Sequence, residues 1–143
     1  MYTILLSIIA SVVAASIGYT IKYKYAIEFP RPLCFLENVN IVTYLNKTSE
    51  NIIYDRCYKL DGSFPSMHST LVMIIATSVW PILNYYTKSL MILLVITVGI
   101  SRLTLGIHFP TDIIGGYIFG YFITKICNHI LYTLGKYINN INT

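Results

Sequence analysis

The sequence predicts an all-α fold, a polytopic transmembrane helix bundle of about four spans with a polar loop between spans one and two. Three observations lead there. Of 143 residues, 55% are hydrophobic and 11% charged, with a mean hydropathy of +0.63, a balance outside the usual range of water-soluble domains. Segments at about 2–21, 69–86, 89–107 and 112–134 approach the roughly 20 apolar residues that a helix needs to cross a bilayer. A soluble bundle of such helices would need a charged coat, and 10 basic with 6 acidic side chains are too few to provide one. No Gly/Ser linker, charge block, internal repeat or low-complexity tract divides the chain, so residues 1–143 read as one membrane-embedded domain.

The first span is clean from Ile4 to Ile21. Ala14-Ala15-Ser16 looks processable, but no basic residue precedes the apolar stretch, so a retained span is expected rather than a cleaved signal peptide. The polar loop at about 22–66 holds most of the charges and the tract Asn46-Lys47-Thr48, a glycosylation acceptor if the loop is luminal. Cys34 and Cys57 share that loop and can pair in an oxidising compartment; packing as unpaired thiols is an equal alternative. Cys127 lies in an apolar segment and is expected to be a buried thiol, and no Cys/His spacing resembles a zinc site. The second span carries Pro81 near its far end, where a kink is tolerated. The third continues through Ser101 and Arg102, and the fourth carries Lys125, Asn128 and His129 in its second half; such residues need partners or an interface. Gly116-x3-Gly120 allows a neighbouring helix backbone to come close, either within the bundle or in a homodimer.

Four spans in sequence place the end of span one, the start of span two, the end of span three and the start of span four on one membrane face. Lys24, Arg31, Ser66, His68, Arg102, His108 and Asp112 then gather at one end of the bundle, although they are scattered in the sequence. Polar groups converging at a membrane surface suggest a site. Lys125, Asn128, His129 and Lys136 recur at roughly helical spacing and are expected at the opposite interface, which makes His129 a poor catalytic candidate.

The patterns Lys24-x6-Arg31-Pro32, Pro65-Ser66-x-His68 and Ser101-Arg102-x5-His108-x3-Asp112 stand in this order. Together they resemble the three signature motifs of the type 2 phosphatidic acid phosphatase family, which also includes vanadium haloperoxidases. The resemblance implies a lipid phosphatase working without metal or other cofactor. It makes His108 the nucleophile that becomes a phosphohistidine, Asp112 the carboxylate that orients it, and His68 the general acid. His68 must then start protonated and His108 neutral, which predicts a bell-shaped rate profile. The residue types suit the chemistry: Lys24, Arg31 and Arg102 are fixed cations for phosphate oxygens, the arginines as planar forks and the lysine as a point charge. Ser66 would hydrogen-bond a phosphate oxygen. Met67 stands where the family usually has glycine; its amide can donate to phosphate while its side chain narrows the pocket.

Read without the motifs, each residue has a plainer role: Lys24 snorkelling at an interface, Arg31 flanking a loop, Ser66 capping a helix, and Asp112 or Thr111 capping span four. The expected partners are a lipid phosphate substrate and the membrane, with a second copy or partner helices supplying spans that other family members have. A net charge of +4, scattered along the chain, excludes nucleic acid. Lys88 and Lys136 lie away from the site, so the site-bearing face is expected to be extracytoplasmic or luminal. The alternative is a catalytically silent member that binds lipid headgroups or acts as a membrane scaffold.

Overall fold

The computed structural model describes residues 2–25, 31–32 and 62–141. These described residues form four α-helices, α1 (Tyr2–Lys24), α2 (Met67–Val79), α3 (Tyr85–Thr104) and α4 (Pro110–Ile141), with a 3₁₀ turn over Trp80–Ile82. The fold is all-α, as the apolar segments predict, and there is no strand among the described residues. Cys34, Cys57 and Asn46 lie outside them.

α1 turns one narrow stripe inward: Leu6, Ala10, Ala14, Gly18 and Lys22 are its buried residues, each four after the last. That spacing puts them on one face of a 3.6-residue helix. Its other faces are also apolar, with Ile4, Ile8, Val12 and Ile17 exposed. α2 is the centre of the bundle, packing against α1, α3 and, most extensively, α4. The contact with α4 is close because Gly116 and Gly120 have no side chain. A Cβ on Gly116 would stand 2.6 Å from the Ser66 carbonyl oxygen, and one on Gly120 would stand 2.5 Å from that of Thr70. The Gly116-x3-Gly120 step is therefore packing within the chain.

α2 is shorter than expected and ends at Val79, because Pro81 has no amide to donate and its ring crowds the preceding turn. Instead of a kinked continuation, the chain makes the 3₁₀ turn. It re-enters a helix where Asn84 caps α3, its Oδ1 accepting from Thr87 N at 2.9 Å. Just past the end of α3 stands Gly106, whose positive φ of 64° suits glycine. α4 runs beyond the expected 134 to Ile141, since no proline interrupts it and its later polar residues, Lys125, Asn128, His129 and Lys136, are exposed. Its 32 residues make it about 48 Å long.

The core is formed by Leu6, Ala10, Ala14, Ile74, Ile123 and Cys127, so Cys127 is the buried thiol expected. α1 and α3 are each long and apolar enough to cross a membrane. α3 buries only Gly99 and leaves Leu90, Leu93, Ile96 and Ile100 outward. At the end of the bundle where α1 begins, Tyr2 donates its hydroxyl to Asn128 Oδ1 at 2.8 Å.

Candidate active site

The opposite end of the bundle is where α1 and α3 finish and α2 and α4 begin. Ser66 is the N-cap of α2 in extended backbone, and its side chain makes no capping bond. It is fully buried. Its amide donates to the Asp112 carbonyl at 3.0 Å, while its own carbonyl accepts from Thr70 N at 2.9 Å and Thr70 Oγ1 at 3.0 Å. These bonds tie the start of α2 to the first turn of α4. Ser66 Oγ accepts from Ser69 Oγ at 3.0 Å and so keeps its own proton for another acceptor. The first amides of α2, those of Met67 and His68 among them, have no carbonyl within the helix to pair with, which makes this terminus favourable for an anion. The Met67 side chain turns to α1, its sulfur 2.5 Å from where a Cβ on Gly18 would be.

α4 opens with Pro110 at its first position, where a missing amide costs nothing. Asp112, two residues on, accepts from Phe109 N through Oδ2 at 2.7 Å, the backward arm of a capping box. The same oxygen lies 3.6 Å from His108 Nδ1, and both side chains are 4% exposed. The capping role and the pairing role therefore coexist in one carboxylate. His108 Nδ1 is buried without a hydrogen-bond partner, and 3.6 Å is just beyond hydrogen-bond reach. Hydrogen bonds in ligand-free sites are often long and tighten when a ligand binds.

Two arginines stand at the same end of the bundle. Arg31 is buried and donates from Nη1 to the Ile107 carbonyl at 3.2 Å, next to His108. Arg102 is half-buried in the last turn of α3, with Nε donating to Ser101 Oγ at 3.2 Å. His68 keeps an exposed edge ahead of the apolar run of α2. Partial desolvation, then the positive charges of Arg102, His108, Lys22 and Arg31, hold its imidazole below the ordinary histidine range. One bundle end thus holds a buried His–Asp pair, a second histidine, a buried serine and basic side chains. Among the described residues, no three His, Cys, Asp or Glu side chains converge as metal ligands.

The profile of the PAP2 superfamily matches residues 2–136, a stretch that includes every side chain of this site. The chain belongs to the PAP2 superfamily. Among curated proteins, this PAP2 chain is similar to "Putative undecaprenyl-diphosphatase YbjG" of Escherichia coli (strain K12), with 26% identity over 113 residues. The match covers 79% of this chain and 51% of that protein, so the chain spans about half the length of this relative. No solved structure matches it.

Of the residues expected at the PAP2 site, the structure brings Arg31, Ser66, His68, Arg102, His108 and Asp112 to one end. Lys24 differs. It is exposed, with Nζ 5.3 Å from the Tyr25 ring centroid. Positions 22 and 24 are about 200° apart around a helix, so one of them faces out when the other faces in. The inward residue is Lys22, 6% exposed, donating to the Gly62 carbonyl at 2.7 Å and the Ser63 carbonyl at 3.4 Å. Motif spacing does not single out Lys22, which the structure buries. The available signal was the four-residue stripe from Leu6 through Gly18, which continues to Lys22.

Proposed function

We propose that this PAP2 chain is a membrane lipid phosphatase, hydrolysing a lipid monophosphate or diphosphate through a phosphohistidine and without a metal. The observation that carries the reading is the buried His108–Asp112 pair, sharing one bundle end with His68, Arg31 and Arg102. Nδ1 faces the carboxylate, which leaves Nε2 of His108 as the nitrogen that attacks phosphorus. Asp112 holds the proton on Nδ1 and stabilises the charged ring as it forms. Arg31 and Arg102 offset negative charge on the equatorial oxygens, with the Ser66 hydroxyl and the first amides of α2 as further donors. As the bond from phosphorus to the leaving oxygen breaks, His68 gives that oxygen a proton. It then takes a proton from the water that attacks the phosphohistidine, releasing inorganic phosphate and restoring His108.

A lipid substrate is supported by the bundle's outer surface. The outward face of α3, with Leu90, Leu93, Ile96 and Ile100, is apolar well beyond what a soluble monomer exposes. A groove of about 310 Å³ between α1 and α2, lined in part by Ser11, Ala15, Tyr19 and Leu71, opens beside His68. The leaving oxygen receives its proton at that point, so the groove suits the chain that the oxygen carries. The name of the Escherichia coli relative favours a polyprenyl diphosphate within this class.

The test is phosphate release from a panel of lipid phosphates by purified protein in detergent with EDTA. Wild type releases phosphate and His108→Ala loses on the order of 10³-fold or more in kcat. A folded wild type that hydrolyses none of them, while binding the same lipids, is instead a headgroup-binding protein.

A further inference from the structure

We propose that a groove between α2, α3 and α4, at the bundle end away from the candidate active site, binds an anionic phospholipid. Lys88 and Lys125 hold its phosphate, and the apolar groove takes an acyl chain. The proposal needs the chain to stand in a membrane and is independent of its being a phosphatase.

Helix packing makes the groove. Toward the active-site end, α3 and α4 meet closely: Tyr117 donates its hydroxyl to the Val95 carbonyl at 2.6 Å, and a Cβ on Gly99 would collide with that hydroxyl. Two turns back along α3, Met91 and Ile92 stand in place of a glycine. Here a groove of about 490 Å³ opens between α3 and α4, with Met73 and Ala76 contributed by α2. That volume lies within the range of small-molecule sites.

The mouth of the groove is basic and aromatic. It is lined by Tyr121 and Lys125 of α4 and by Trp80, just past the end of α2. Lys125 Nζ stands 5.4 Å from the Tyr121 ring centroid, and Lys88 Nζ 5.3 Å from that of Trp80. Tryptophan, tyrosine and lysine together mark the level at which acyl chains meet headgroups. A ring face attracts a cation without cancelling its charge, and among the described residues the one carboxylate side chain, Asp112, lies at the other end. Two ammonium groups above an apolar groove match one ligand chemistry, an anionic headgroup on a hydrocarbon tail. A second copy of the chain fits less well. Inserted in the same direction, it brings its own lysines to this level, with no described carboxylate to meet them.

The experiment uses Trp80, the single tryptophan of the chain. Purified protein is placed in mixed phosphatidylcholine and phosphatidylglycerol vesicles in which one lipid or the other carries bromine on its acyl chains, a contact quencher of indole emission. Both lipids are phosphodiesters, so hydrolysis of a phosphate monoester or a diphosphate leaves them intact. The ratio of quenching by the two at equal mole fraction cancels changes in the emission of Trp80 itself. Wild type favours brominated phosphatidylglycerol by about 5-fold or more, the scale of one basic side chain at an anionic surface. Lys88→Gln and Lys125→Gln each lower the preference, and the double variant abolishes it. Lys136→Gln removes a lysine of the same end that lines a different cleft, with Tyr2 and Asn128, and keeps the preference. Equal quenching by the two lipids in wild type overturns the proposal, as does a preference that survives the double variant. Trp80 shielded from both lipids in a cross-linkable dimer puts a second copy in the groove and overturns it too.

Discussion

At the level of single residues, Asp112 has the most divided duty, because one carboxylate oxygen both closes the first turn of α4 and faces His108. Substitution separates the two. Asn in its place still accepts from Phe109 N, so Asp112→Asn leaves stability within about 1 kcal/mol of wild type in thermal unfolding while kcat falls on the order of 10²–10⁴-fold. Asp112→Ala adds a loss of about 0.5–2 kcal/mol in stability from the missing cap. Equal kcat in Asp112→Asn and wild type would leave the carboxylate a cap and nothing more. These two roles were both legible in the sequence, since Pro110, Asp112 and His108 are close enough along the chain for helix geometry to relate them. The burial of Lys22 is less legible, because it depends on which face of α1 meets the bundle.

Among the helices, the contact between α2 and α4 positions the site, and its closeness depends on Gly116 and Gly120. The atom facing Gly116 is the backbone oxygen of Ser66, which cannot rotate away as a side chain could. Gly116→Val therefore pushes the start of α4 from the start of α2, weakening the bond between Ser66 N and Asp112 O. The expected outcome is a stability loss of about 1–3 kcal/mol with a fall in kcat/KM, read by thermal unfolding and phosphate release. Gly135 on the same helix is different, since a Cβ added there would meet nothing within 4 Å. Gly135→Ala should keep activity and gain up to about 1 kcal/mol from helix propensity. Helix existence followed from the apolar runs, but their ends followed from local chemistry of different reach. Pro81 stopped α2 where a kink was expected, and the polar half of α4 stayed helical because its exposed face accommodates Lys125, His129 and Lys136.

For the whole molecule, the polar end that carries the site and the apolar flanks of α1 and α3 define an axis along which the chain would sit in a bilayer. In intact cells, a cysteine introduced at Tyr23 in a cysteine-free background should react with a membrane-impermeant maleimide added from outside. One introduced at Lys136 should react only after permeabilisation; the reverse pattern would place the site in the cytoplasm. The all-α class and the gathering of distant polar residues at one end follow from the chain alone, because hydropathy sets where helices can lie and alternation of direction sets which ends meet. The inward lysine, the tie between Ser66 and Asp112, and the separation of 3.6 Å between His108 and Asp112 do not. They depend on how α1, α2 and α4 rotate and close on one another. That rotation is set by small residues packing across helices, a property of pairs of faces rather than of any one segment.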